Sequence, residues 1–190
     1  MNTPTHMLTA AALLSKSGDG RRNWAIIAGG LLPDLSIFAL VAWARLVDGQ
    51  PHRQIWRETY WQEPWQTLGA ISNSVVIWAL VALIAYRLGW QVVLFIAAAM
   101  LVHIALDFPF HADDAHRHFW PLSDWRFHSP LSYWNEHYHS RWVGSLELGL
   151  VLASMALLWR RFDSRFVRGA LLAGLASLAA VPAFFWWTLG

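Results

Sequence analysis

No cysteine occurs in these 190 residues, which excludes disulfides, thiolate metal sites and cysteine nucleophiles together. Any metal would have to be held by His, Asp, Glu or Asn. Charge is also scarce. Asp, Glu, Lys and Arg make up 14% of the chain against 56% hydrophobic residues, a balance outside the usual globular range. The net charge of +2 is thinly spread, and no polar segment carries a basic stripe with interleaved aromatics, so nucleic-acid binding is set aside. There is no internal repeat and no low-complexity tract. Residues 1–6 carry no Lys or Arg, and no cleavage site follows the apolar stretch Met7 to Leu14, so this segment is expected to stay on the mature protein.

What is abundant is tryptophan and long apolar runs. Most of the 14 Trp fall at run ends, where an indole can bury its ring and keep its N–H wet, the pattern of a membrane-interface belt. Five runs approach the roughly 20 residues that span hydrocarbon: Trp24 to Ala44, Leu68 to Tyr86, Trp90 to Leu106, Trp142 to Trp159 and Gly169 to Leu189. A shorter helix over Pro4 to Lys16, with Thr3 as N-cap and Pro4 at its first position, reads as a partial span. The expected fold is therefore all-α: a single membrane-embedded helical domain over residues 1–190, with five spans plus a short N-terminal partial span. Pro33 lacks an N–H and disfavours helix at Leu32, which predicts a break or kink at Pro33-Asp34.

The connections alternate between two sides. One side receives Lys16, Arg21, Arg22, Arg87, Arg160, Arg161, Arg165 and Arg168, and its larger share of bases makes it the expected cytoplasmic face of a multi-pass membrane protein. The opposite side carries the loops 45–67 and 108–141, most of the acids outside helices, and the histidines that lie in loops; none of the nine His lies on the cytoplasmic side. Chemistry is expected on that non-cytoplasmic face. The aromatic residues of loop 45–67 suit an interfacial position. A stretch as long as 108–141, rich in Trp, Phe and Tyr, suits a functional loop.

His103 and Asp107 stand four apart on a helix and so leave the same face, a two-ligand arm for a metal. The plainer alternative is a hydrogen-bonded pair tying the helix end to a neighbour. Depth adds to the metal reading. Counted from the cytoplasmic ends at a rise of about 1.5 Å per residue, His6, Asp34, Asn73, His103 and Glu147 all fall about 15 to 21 Å into the layer. An isolated charge at mid-bilayer costs roughly 2.5 to 3.5 kcal/mol on insertion scales, so Asp34 and Glu147 each require a partner or a wet cavity. One shared site would serve all of them. The predicted metal ligands are His6, Asp34, His103 and Asp107, with Zn2+ or a similar divalent ion as cofactor. His111 and Glu147 are the expected proton carriers. Asn73, Arg117 and Arg126 are the expected substrate-binding residues: Asn73 could equally support a ligand or bond a neighbouring carbonyl, and the two arginines could fork onto a phosphate or carboxylate of a substrate or else anchor the loop among lipid headgroups.

At these residues the chain resembles a family of bacterial inner-membrane proteins described as metal-dependent hydrolases, including LexA-regulated members. The matching motifs run in order over about residues 1–127: Thr5-His6 near the start, Pro33-Asp34-Leu35-Ser36, His103-Ile104-Ala105-Leu106-Asp107, and Trp120-Pro121-Leu122-Ser123-Asp124-Trp125-Arg126-Phe127. Ser36 stands where the family has a second Asp. The stretch Gly69 to Ser74 stands where it has a histidine pair, so a second metal is not implied. The resemblance implies metal-dependent hydrolysis in a bacterial inner membrane, and a site reached from the membrane or the non-cytoplasmic face points to a lipid or lipid-linked ester or phosphoester as the expected substrate. Two other readings of the same residues are a proton- or cation-coupled transporter, for which a homo-oligomer would supply more spans, and a non-catalytic membrane scaffold docking a partner through the aromatic loop.

Overall fold

The structure, a computed structural model, describes residues 1–176. All regular structure among them is helical: α1 (Thr3–Leu14), α2 (Gly20–Leu46), α3 (His52–Arg57), α4 (Glu63–Ser72), α5 (Val75–Leu88), α6 (Gln91–Asp107) and α7 (Ser140–Arg161), with short 3-10 turns at Thr59–Trp61, Phe108–Phe110 and Glu136–Tyr138. Residues 165–176 are helical too.

Three of these segments are long and apolar enough to cross a membrane: Gly20–Leu46, Gln91–Phe110 and Ser140–Arg161. A fourth arises only if α4 and α5, bent by 42°, count as one broken span. This corrects the expectation of five spans among the described residues; most of the fifth run, 177–189, lies outside them. These helices keep large apolar side chains on their outer faces, among them Trp24, Phe38, Trp43, Leu80, Leu83, Leu148 and Leu152. No water-facing polar stripe relieves them, unlike the surface helices of a globular domain.

The break falls in the second apolar run rather than at Pro33. α2 continues through Pro33, packed between α1 and α6. Asn73 instead closes α4 and the Ser74 hydroxyl caps α5 by accepting from the Ile77 N–H. The loop competes for the freed backbone here, since the Val75 N–H donates to the His118 carbonyl. α1 also begins one residue earlier than its composition suggests. Asn2 is the N-cap, which releases the Thr3 hydroxyl for Asp34.

α1, α2, α6 and α7 pack around small residues, with Ala10, Ala11, Ala12, Ile26, Ala99 and Val151 buried where they meet. Small side chains let helix backbones approach closely, the usual solution when no hydrophobic drive separates helix from solvent. The predicted cytoplasmic ends do lie together: Arg161 donates to the carbonyls of Ala11 and Ser15, and Arg22 to that of Leu14. These bonds satisfy the last carbonyls of α1. At the other end Ile55 of α3 is buried against Leu40 and Ala44 of α2, and loop 108–141 is pinned by Phe108 stacked on Phe127 and by Ser129, bonded to His111 and Pro109 carbonyls.

Candidate metal centre

α1 and α2 each bring one ionisable side chain to a common point, α6 brings two, and His111, just past the 3-10 turn that follows α6, brings a fifth. His6 Nε2 lies 3.0 Å from Asp107 Oδ1, His103 Nε2 lies 3.2 Å from Asp107 Oδ2, and His111 Nε2 lies 3.5 Å from that same oxygen. The His6 and His103 rings stack, with centroids 3.5 Å apart and planes 13° from parallel. Asp34 closes the group through Oδ1, 3.6 Å from His103 Nε2, and is the least buried of the four predicted ligands, its side chain 16% exposed. The Met1 amino group also sits on Asp107 Oδ1, at 2.6 Å. Asp107 therefore draws positive charge to its outer face as well as imidazole to its flank.

The backbone explains why these side chains hold still. His103 Nδ1 meets the carbonyl of Gly30 at 2.9 Å, so Nδ1 carries the proton and Nε2 keeps its lone pair. α2 can supply that carbonyl only at close range. A Cβ on Gly30 would meet the Met7 Cα at 2.9 Å, so glycine lets α1 and α2 touch at the turn that holds His6. The Thr3 hydroxyl donates to Asp34 Oδ2 at 2.5 Å and fixes the second carboxylate.

Whether the group suits a divalent ion is decided by its orphaned nitrogens. His6 Nε2, His103 Nε2 and His111 Nε2 are all buried without a hydrogen-bond partner of acceptable geometry, a costly arrangement for polar atoms. One ligand atom from each of His6, His103 and Asp107 falls within 4.8 Å of the others. Donors about 2.0 to 2.2 Å from a tetrahedral ion stand about 3.3 to 3.6 Å apart, close to the separations here. The nitrogen and oxygen donor set suits Zn2+ or another borderline ion.

His111 and its neighbours form a second layer. His111 Nδ1 lies 2.9 Å from Asp114 Oδ2, which holds the ring so that Nε2 faces Asp107. Burial lowers the basicity of His111, yet Asp107 and Asp114 outweigh it and push the group up to about 9. His116 packs its ring 4.8 Å from that of His111 and is pushed down to about 3, by burial first and then by the neighbouring imidazoles. His118 Nδ1 bonds the Asn73 carbonyl at 3.0 Å.

The remaining predicted residues lie apart from this cluster. Both Glu147 oxygens are taken by the start of α1: Oε1 accepts from the Asn2 N–H and the Thr5 hydroxyl, each at 2.7 Å, and Oε2 from the Asn2 side chain at 3.2 Å. Asn73 bonds back to the Gly69 carbonyl within α4. Arg117 reaches Glu63, Asp124 and Thr67. Arg126 donates to the Ala115 carbonyl and to Gln66. Ser36, two residues after Asp34, bonds the Pro33 carbonyl of its own helix. Asp114 was not singled out from sequence; its spacing of three from His111 was the available signal. The chain matches no protein-family model, and neither a curated protein nor a solved structure matches it.

Proposed function

We propose that the protein is a membrane-embedded metal-dependent hydrolase acting on a lipid or lipid-linked ester or phosphoester, reached from the non-cytoplasmic face of a bacterial inner membrane. The observation that carries this reading is the convergence of three partnerless imidazole nitrogens on the Asp107 carboxylate, among helices apolar enough to cross a bilayer. Ionisable groups at such depth are rare and mostly functional.

His6, His103, Asp107 and Asp34 would hold Zn2+ or a similar divalent ion, which supplies Lewis acidity and a water acidified to near neutrality. His103 is held in the correct tautomer by the Gly30 carbonyl, and the Asp34 carboxylate is oriented by the Thr3 hydroxyl. Of the two proton carriers offered by the sequence, His111 faces Asp107 whereas Glu147 is engaged by α1. His111, kept protonated by Asp107 and Asp114, would therefore give its Nε2 proton to the leaving oxygen, with Asp114 on Nδ1 stabilising the imidazolium until then. Substrate enters past Asp34, the least covered member of the group.

Elemental analysis of detergent-purified protein tests the reading. Near-stoichiometric metal is expected, lost in His103→Ala and Asp107→Ala, together with hydrolysis of at least one lipid in a panel. Metal-free protein from a chelator-free preparation overturns it. The bent α4–α5 pair supports a transporter as second reading, because broken helices line ion paths. Flux into proteoliposomes that depends on Asp34, without hydrolysis, would establish that alternative.

A further inference from the structure

The two ends of the helix bundle differ sharply in charge. The predicted cytoplasmic end gathers eight Lys and Arg from the α1–α2 loop, the start of α2, the ends of α5 and α7, and the first turn of helix 165–176, against two acids, Asp19 and Asp163. The opposite end balances six arginines with seven carboxylates, Asp34, Asp107 and Glu147 left aside. Both acids of the basic end are already engaged. Asp19 caps α2 by accepting from the Arg22 N–H at 3.1 Å, and Asp163 pairs with Arg168 at 3.0 Å. Arg22 and Arg161 donate to carbonyls at the end of α1, which leaves their charge unopposed and draws the ends of α2 and α7 around that point. Lys16, Arg21, Arg87, Arg160 and Arg165 are exposed, and among the described residues their side chains make no hydrogen bond or ion pair.

The residues beside these cations identify what they meet. Arg21 is three residues from Trp24 on α2, and Arg160 three from Leu157 on α7, spacings that put each pair on one helix face. Lys16 follows Leu13 by three residues, and Arg165 adjoins Phe166. Trp24, Leu157, Leu13 and Phe166 are all exposed. On helices apolar enough to cross a bilayer, such side chains belong in hydrocarbon or at its edge. A rise of about 1.5 Å per residue then puts Arg21 and Arg160 about 4.5 Å further out, toward the depth of lipid phosphates. Crowded like charges repel, and anions between them relieve the repulsion. A soluble acidic partner leaves the apolar residue behind each cation unexplained, whereas a lipid offers acyl chain and phosphate together. A zwitterionic headgroup brings its own cation, so the unopposed bases favour a headgroup of net negative charge.

We propose that this end of the bundle is a binding surface for anionic phospholipids, with Lys16, Arg21, Arg160 and Arg165 on the headgroup phosphates and the exposed apolar residues beside them on the acyl chains. It goes beyond the hydrolase reading and does not depend on it.

The test uses the full chain in detergent, followed by thermal shift as dioleoylphosphatidylglycerol, dioleoylphosphatidylcholine or polyglutamate is titrated in. The two lipids share acyl chains and differ in net charge. Saturable stabilisation by phosphatidylglycerol is expected, about tenfold or more tighter than by phosphatidylcholine and weakened by added salt. At about fivefold per cation, Arg160→Gln/Arg165→Gln should lose about twentyfold or more in phosphatidylglycerol affinity. Lys16→Gln/Arg21→Gln should lose as much, which guards against misfolding of either variant. Arg53→Gln/Arg57→Gln removes two exposed cations from the opposite end and should leave the affinity unchanged. Equal affinity for both lipids, insensitivity to salt, unchanged affinity in both variants of the basic end, or an equal loss in Arg53→Gln/Arg57→Gln overturns the proposal. Polyglutamate binding with no preference between the lipids also overturns it and assigns the surface to an acidic protein. Metal-free protein should keep the lipid preference, so failure of the hydrolase reading leaves this surface standing.

Discussion

Replacing Gly30 by alanine sets two effects against each other with opposite signs. In a helix interior, alanine is favoured over glycine by about 0.5 to 1 kcal/mol, because it restricts the unfolded chain. At Gly30 the new methyl would lie 2.9 Å from the Met7 Cα and 3.3 Å from the Met7 nitrogen, both backbone atoms that no rotamer change can move aside. α1 would have to withdraw by about 0.5 Å or more, and overpacking of this kind costs about 1 to 3 kcal/mol. The clash wins, so Gly30→Ala is expected to destabilise the protein. Because the retreating turn carries His6, and metal–ligand distances tolerate only about 0.2 Å, metal affinity should fall by about tenfold to a hundredfold. Gly144→Ala and Gly149→Ala provide the control, since a methyl at either meets nothing within 4 Å. Both should raise the unfolding temperature or leave it unchanged and keep full metal content. Thermal unfolding in detergent and elemental analysis of the three variants are sufficient measurements. A Gly30→Ala protein as stable and as metal-loaded as wild type would refute the claim that close approach of α1 and α2 builds the site.

Two further outcomes follow from named bonds. Asp114→Asn weakens the hold on His111 Nδ1 while leaving His6, His103 and Asp107 untouched, so turnover should fall about tenfold to a hundredfold with metal content preserved; loss of the metal instead would make His111 a ligand. Glu147→Ala strands the buried Asn2 N–H and Thr5 hydroxyl and should destabilise by about 1 to 3 kcal/mol per group, whereas Glu147→Gln keeps an acceptor oxygen and should stay folded and active. An inactive, fully folded Glu147→Gln would return Glu147 to the role of proton carrier.

The helical class and the apolar segments were readable because hydrophobicity over 20 residues is a bulk property that tertiary context rarely reverses. Counting spans was less secure, because a polar residue inside an apolar run can either be tolerated or end the helix. Pro33 is tolerated, since α1 and α6 hold α2 on both sides of it. Asn73 is not, since the loop carrying His118 and Trp120 offers its neighbours competing partners, accepting from the Val75 N–H and the Ser74 hydroxyl. Matching depths did bring His6, Asp34 and His103 together, as rise per residue is nearly constant. Depth says nothing of azimuth, and so it could not separate Asn73 and Glu147, which stand at a similar height but point to other partners. Asp114 and the Gly30 carbonyl were hidden for a different reason. A loop turn and a main-chain oxygen leave no periodic trace in sequence.

The attachment of α1 has a consequence for how the protein is made. This short helix contributes His6, yet its two ends are secured by residues of α7, at Glu147 and Arg161. During synthesis His6 leaves the ribosome first and its fastenings leave more than a hundred residues later. The histidine–aspartate cluster is thus completed only when the last of these helices docks, and a chain stalled before residue 140 carries its side chains without the frame.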